Sequence, residues 1–340
     1  MSQCYDESQI KVLKGLEGVR KRPSMYIGNI GFSGLHHLVF EIIDNAVDEF
    51  LAAKPCNTVI VKLHENNVVS VIDNGRGIPV GIIKEENKSA LEVIMTSLHS
   101  GGKFDNKSYK CSAGLHGVGL SVVNALSEWV EVSVIRDNKF YFQKYVNGVP
   151  QSEIKIIDDE NAKEKIRTIK HGTIIKFKYD TKIFGNQDLD IKYLSRRCRD
   201  VSFLSSGLKI VVSDFKGFKQ VHKYDDGLID FVKYLNSDRE VLSSDIVSYS
   251  KHDVELDGNL KINIQFAFQY SIDDEDRIHS FVNIINTYDG GSHLNGFKAG
   301  LTKAILENIS SRKLAGVKVV NNDVIEGLAA VLSIYMQEPE

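Results

Sequence analysis

Gly34-Leu35-His36-His37-Leu38-Val39-Phe40-Glu41-Ile42-Ile43-Asp44-Asn45-Ala46-Val47-Asp48-Glu49 carries two patterns at once. Leu35, Leu38, Val39, Ile42, Ala46 and Phe50 recur at three- and four-residue steps, which predicts an amphipathic helix over residues 34–52. His37, Glu41, Asn45 and Glu49 recur at the four-residue step on another face, flanked by Asp44 and Asp48. A solvated polar face accounts for such a stripe, and so does a row of groups aimed at one ligand; the helix alone leaves both open.

Downstream, the β-rich runs 58–63 and 68–73 read as a hairpin across Glu65-Asn66-Asn67. The second run exits through Asp73-Asn74-Gly75-Arg76-Gly77-Ile78-Pro79, where Asn-Gly is a strong turn signal. Ser89 and Glu92 have capping-box spacing, so a helix is expected from there to Gly101-Gly102. Residues 100–119 have few periodic apolar positions and read as a long lid or binding loop. That loop ends in Gly114-Leu115-His116-Gly117-Val118-Gly119, directly before the helical-looking 120–126. Glycines entering a helix N-terminus bare backbone N–H groups to an anion, although a flexible connector has the same composition. The spacing is not the Gly-x-Gly-x-x-Gly of a dinucleotide fold, and no P-loop motif is present, so a nucleotide would be held in another way.

Further strands are expected at 129–136, 140–146, 173–179, 208–213 and 218–224, with a helix at 188–204. Asp225-Asp226-Gly227 reads as a domain boundary; beyond it come strands at 260–269, 280–286 and 328–336 and helices at 228–236 and 294–310. The 340 residues suit two domains, and 42% hydrophobic with 26% charged residues excludes a disordered chain. With no run approaching eighteen apolar residues and no signal-peptide pattern, the expected compartment is cytoplasmic. Cysteines at 4, 56, 111 and 198 have no Cys-x-x-Cys spacing, which argues against a disulfide framework or a structural zinc. Residues 1–220 carry 31 Lys+Arg against 26 Asp+Glu, whereas 221–340 carry 11 against 19. The mild basic excess of the first part suits a polyphosphate ligand and falls short of a DNA-wrapping surface, so any DNA contacts should be local.

The order of these features, Glu41 and Asn45 on one helix, Asp73-x-Gly75-x-Gly77 at a strand exit, Lys103 in the loop, then Gly114, Gly117 and Gly119, resembles the Bergerat-type (GHKL) ATP fold. The likeness closes on the ATPase subunits of type IIA topoisomerases through Arg20-Lys21-Arg22-Pro23-Ser24-Met25-Tyr26-Ile27-Gly28, the quoted helix, and Leu98-His99-Ser100-Gly101-Gly102-Lys103-Phe104. Tyr288-Asp289-Gly290-Gly291-Ser292-His293 and Glu326-Gly327-Leu328 are similar to that family's transducer domain. Within the family the DNA gyrase branch is the first reading and the ParE subunit of topoisomerase IV its closest rival. A histidine kinase is disfavoured, because no phosphoacceptor helix domain fits before residue 30.

The resemblance implies an α+β fold in two parts. A GHKL/Bergerat-type ATPase sandwich, a mixed sheet with helices on one face, spans 1–225 and includes an N-terminal dimerisation arm. A ribosomal S5 domain 2-like α/β transducer domain, C-terminally truncated, spans 226–340. It implies ATP and Mg²⁺ as cofactors and a nucleotide-dependent homodimer. For the gyrase branch it also implies the DNA gyrase A protein as partner in an A2B2 heterotetramer, and DNA, with no membrane. The implied function is ATP hydrolysis that drives DNA strand passage and negative supercoiling. As this stretch of chain, the alternative is a nucleotide-binding dimerisation module with little hydrolysis, because the family's Gln-Thr-Lys loop is expected to follow the strand that ends near Met336-Gln337-Glu338-Pro339-Glu340.

Residue by residue, the resemblance implies Glu41 as the group that orients or deprotonates the attacking water, with His37 holding it. Asn45 is implied as the Mg²⁺ ligand and Asp73 as the reader of the adenine amine, completed by Thr173 through a water. Lys103 and the amides of Gly114, Leu115, His116, Gly117, Val118 and Gly119 are implied around the phosphates. Tyr5 from the arm, Tyr109, Glu49, Arg76, Gly77, Ile78 and Pro79 are implied around the nucleotide, and Arg136 at the coumarin-inhibitor contact. The departures from the usual motif are Asn74 for an aspartate, Ala113 for a glycine and Ser24 for a glycine; the first two are expected to retune binding.

Overall fold

The computed structural model describes residues 13, 15–52, 56–102, 117–256, 260–312, 319–337 and 339. These form two compact units: the first takes the described residues up to 195 together with 210–221, the second 196–209 and those from 222 onward.

The first unit begins with α1 (Glu17–Lys21), α2 (Ser24–Ile27) and α3 (Phe32–Ala52), then the hairpin β1 (Thr58–His64) and β2 (Val68–Asp73). There follow β3 (Ile82–Ile83), β4 (Lys88–Ser89), α4 (Ala90–Thr96) and α5 (Gly119–Ala125). Next come β5 (Ser127–Arg136), β6 (Lys139–Val146), β7 (Val149–Pro150), β8 (Lys155–Ile157), α6 (Glu160–Ile169), β9 (Gly172–Tyr179) and α7 (Thr181–Phe184). Then come the start of α8 (Ile191–Leu204), whose residues from 196 on belong to the second unit, β10 (Lys209–Ser213) and β11 (Lys219–His222). The strands form one nine-stranded sheet in the order β11-β10-β1-β2-β9-β5-β6-β7, with β8 on β6.

Why α3 lies on this sheet follows from its apolar stripe: Leu35, Leu38, Val39, Ile42 and Ala46 are buried, facing the inward Val59, Val61, Val69 and Val71 of the hairpin. The hairpin turn is made by Asn66 and Asn67, both at positive φ, the conformation that asparagine tolerates better than other side chains. Ser89 caps α4 by accepting from the Glu92 amide, but the helix stops at Thr96 instead of reaching Gly101-Gly102. There Ser97 turns extended and the Ser100 hydroxyl donates to the Val93 and Ser97 carbonyls, satisfying the helix end. The charge-rich α6, which the sequence reading did not assign although Ala162, Ile166 and Ile169 recur at helical steps, lays those three side chains over Ile135, Phe140, Phe142 and Ile174 on the sheet face opposite α3.

Arg20 explains the basic motif at the start. Its guanidinium donates to the Ala125 carbonyl at the end of α5 and to the carboxylate of Asp180, which caps α7 and is 2% exposed. Arg20→Ala leaves that carboxylate buried without its cation and is expected to destabilise the chain by about 2–4 kcal/mol. Denaturant titration checks this, and an unchanged midpoint would refute the clasp.

The second unit adds α9 (Leu228–Leu235), β12 (Val247–Leu256), β13 (Leu260–Tyr270), β14 (Arg277–Val282) and β15 (Ile285–Asn286). It ends with α10 (Ser292–Ser311), α11 (Asn321–Ile325) and β16 (Leu328–Met336). Its five-stranded sheet runs β12-β13-β16-β14-β15, with β16 buried from Leu328 to Tyr335 between antiparallel β13 and parallel β14. The strand expected at 280–286 is broken by Asn283 and Ile284 at positive φ, and the Asn283 amide brackets the Met336 backbone from both sides. The edge strand β12 was not foreseen, because its alternating polar residues give no apolar run. Among the described residues no helix is long and apolar enough to cross a membrane.

Candidate functional site

The polar stripe of α3 is organised at its centre. His37 Nε2 lies 3.0 Å from Glu41 Oε1, and Asn45 Nδ2 donates to the Glu41 carbonyl at 2.7 Å. One turn on, Glu49 takes Arg76 as a fork: Nε to Oε2 at 2.9 Å and Nη2 to Oε1 at 2.8 Å, with the Arg76 amide also on Oε2. The paired His36, beside His37, is fully buried; its Nδ1 donates to the Phe32 carbonyl and its Nε2 accepts from the Asp190 amide, so it clasps the fold as a neutral ring. Burial holds that ring below the ordinary histidine range.

The start of α5 lies against Glu41. A Cβ on Gly119 would sit 2.0 Å from Glu41 Oε2, so glycine there is a condition for the carboxylate's position. Gly119→Ala therefore pushes the flexible end of Glu41 aside while sparing the packing around it. We expect turnover to fall by about tenfold to a hundredfold with little change in Tm, because displacement of a positioned group is costly to rate. Steady-state kinetics beside a melting curve separate the two effects.

At the exit of β2, Asp73 is buried, and its Oδ1 accepts from the Gly75 amide at 2.8 Å and the Thr173 amide at 3.3 Å. Burial pushes its carboxyl up to about 7, with Glu49 adding to the rise and the two amides opposing it. The Thr173 hydroxyl accepts from the Ile78 amide at 3.3 Å, which ties β9 to the glycine turn. Gly172, at positive φ, passes so close that a Cβ would meet the Asp73 carbonyl oxygen at 2.0 Å. Two further groups pin the turn: His171 Nδ1 donates to the Gly75 carbonyl at 2.7 Å, and Arg136 Nη1 to the Gly77 carbonyl at 2.9 Å. His171 was missed from sequence, since nothing local to it signals a carbonyl 96 residues away.

The structure thus brings together on the first unit His37, Glu41 and Asn45 with Gly119, and Asp73, Arg76, Gly77 and Ile78 with Thr173, Glu49 and Arg136. Pro79 follows Ile78 in the same turn, and Gly117 and Val118 lead into α5. Tyr5, Lys103, Tyr109, Gly114, Leu115 and His116 lie outside the described residues, as does Ala113. The expectation that Asn74 touches the site is corrected. Its Oδ1 accepts from the Asn57 and Thr58 amides and its Nδ2 donates to Asn57 Oδ1, so the side chain clamps the start of β1. Among the described residues no group of three or more His, Cys, Asp or Glu could hold a metal.

A buried carboxylate beside a glycine turn, and a glutamate with an asparagine at the foot of a helix entered by glycines, define a GHKL-type ATP-binding unit. Residues 32–182 match the family model for histidine kinase-, DNA gyrase B- and HSP90-like ATPases, and residues 227–340 match the model for DNA gyrase B. The DNA gyrase B protein of Thermotoga maritima is 47% identical over 342 residues, covering 99% of this chain and 52% of that protein. The crystal structure of the 43K ATPase domain of Thermus thermophilus gyrase B, in complex with an aminocoumarin, superposes with a TM-score of 0.81 at 36% identity, covering 96% of this chain and 83% of that one. The topoisomerase IV ATP-binding domain of Francisella tularensis, in complex with a small-molecule inhibitor, follows at a TM-score of 0.73 and 31% identity, covering 97% and 84%. The chain belongs to the DNA gyrase B family, and the gyrase branch fits better than topoisomerase IV. It spans about half the length of the curated relatives it matches.

Proposed function

We propose that this chain is the ATP-operated clamp of a DNA gyrase, with residues 1–225 as its ATPase domain and 226–340 as its transducer. The observation that carries the reading is the Glu41 carboxylate held between His37 and the glycine start of α5, with Asn45 one turn along the same helix. In this reading Asp73 accepts from the adenine N6 amine, which separates adenine from the keto oxygen of guanine, and Thr173 supports it through a water. Arg76, Tyr109, Gly77, Ile78 and Pro79 cover the base, while Lys103 and the amides from Gly114 to Gly119 cradle the phosphates. Asn45 Oδ1 holds the Mg²⁺, which when bound neutralises phosphate charge. Glu41 orients the attacking water and takes its proton, and His37 keeps the carboxylate aimed. Arg136 contacts coumarin inhibitors.

In the whole protein, nucleotide-dependent closure of a homodimer through the N-terminal arm with Tyr5 captures DNA, and the gyrase A protein completes an A2B2 assembly in the cytoplasm that introduces negative supercoils. Calorimetric titration with a non-hydrolysable ATP analogue tests the base of the proposal. One magnesium-dependent site per chain is the expected result, and no binding with or without Mg²⁺ would overturn it.

A further inference from the structure

The basic excess of residues 1–220 is not used up by the nucleotide site, and part of it collects on the sheet face turned away from α3. On β1 the side chains of Val59, Val61 and Leu63 are buried, so Lys62 and His64 point the other way; on β9 Lys176 and Lys178 alternate with buried Ile175 and Phe177. The register then builds rows across five strands. Lys62 stands opposite Ser70, Ser70 opposite Lys176, Lys176 opposite Glu131, and Glu131 opposite Lys144. In the next row Lys178 lies between Val68 and Trp129.

Lys144 pairs with Glu131 at 3.0 Å and reaches over the Trp129 ring, and Lys178 pairs with Glu128 at 2.6 Å. Lys62 and Lys176, two strands apart, have no carboxylate partner among the described residues, and Lys62 is exposed. His64 senses this excess: burial, then Lys176 and Lys62, hold its ring below the ordinary histidine range. At a strand spacing of about 4.8 Å, the row from Lys62 to Lys144 covers about 19 Å. That is roughly half a turn of duplex, along which a phosphate charge falls every ~1.7 Å of axis.

We propose that this face of the nine-stranded sheet, centred on Lys62 and Lys176, is a docking surface for the phosphate backbone of duplex DNA. The inference rests on the gyrase reading above and assigns to the first unit a DNA contact distinct from its nucleotide site. Ammonium groups on long stems, with no amide or guanidinium forks among them, make the contact indifferent to base sequence and sensitive to salt.

The test is fluorescence anisotropy of the full chain with a labelled duplex of about 30 base pairs at several salt concentrations, beside the double variant Lys62→Gln, Lys176→Gln. We expect the variant to bind at least about tenfold more weakly at low salt, with a salt slope shallower by about two. Calorimetry with the ATP analogue should be unchanged in the variant, since neither lysine is on the Glu41 or Asp73 side of the sheet. Absence of analogue binding in the wild type would refute the nucleotide reading independently of the duplex result. Failure of the wild type to bind duplex at low salt, or an unchanged affinity and slope in the variant, would overturn the docking surface. Displacement of the duplex by polyglutamate at equal charge would overturn it too, marking a site for an acidic protein.

Discussion

Glu41→Ala is expected to keep nucleotide affinity within about threefold of the wild type while lowering turnover by at least about a hundredfold, the scale of a positioned general base. The split follows from where the carboxylate sits. It bonds His37 at 3.0 Å and lies against the start of α5, on a different strip of the unit from the buried Asp73 at the base end. Removing it takes away a group needed when the water attacks and leaves the adenine-reading contacts intact. His37→Asn acts only through Glu41 and should cost less, about tenfold in kcat with KM little changed. Single-turnover kinetics beside equilibrium titration measure both. Turnover that survives in Glu41→Ala would remove Glu41 from the base role.

Asp73→Asn is expected to lower ATP affinity by about a hundredfold and at the same time raise the melting temperature of the nucleotide-free chain. In the folded chain Oδ1 is occupied by the Gly75 and Thr173 amides. An asparagine keeps its oxygen there and turns its NH₂ to the place where the adenine amine must donate, so donor meets donor. The stability gain comes from the carboxyl, which burial pushes from 3.8 up to about 7. A raised acid favours the folded state most below about pH 4, and that contribution is lost as pH climbs through 7. Above pH 7 the buried charge therefore costs up to about 4 kcal/mol that asparagine does not incur, and the variant's advantage should shrink as pH falls towards 4.

The same group sets the pH dependence of binding. An adenine amine favours the ionised carboxylate, so wild-type affinity should fall as pH drops below about 7, and uptake of nucleotide near that pH should release a proton. Titrations in buffers of different ionisation enthalpy measure the released proton. A flat affinity profile across that range would exclude Asp73 as the adenine contact.

Much of this was readable along the chain because the informative groups are local. Glu41, Asn45 and Glu49 share a helix face by their four-residue step, and Asp73 to Gly77 are consecutive. Both carry a pattern that does not depend on what packs against it. The boundaries that failed were those set by non-local partners. The strand expected at 280–286 is broken where the Asn283 amide reaches the Met336 backbone.

Periodicity was thus enough to place the α3 stripe and local turn chemistry the glycine turn, since each is a run of neighbours whose geometry the backbone dictates, while the ATP-binding class came from the resemblance that the order of the motifs carries. Folding settled the rest through contacts between distant residues. It turned Asn74 from the pocket to Asn57 and Thr58, made His36 a buried clasp while leaving His37 on Glu41, and brought His171 to the Gly75 carbonyl. It also aligned Lys62 and Lys176 across Ser70 into one row of charge. A chain read in order records which groups are available, but which of them meet depends on strand register and packing, and those are set by the burial of side chains far apart in sequence.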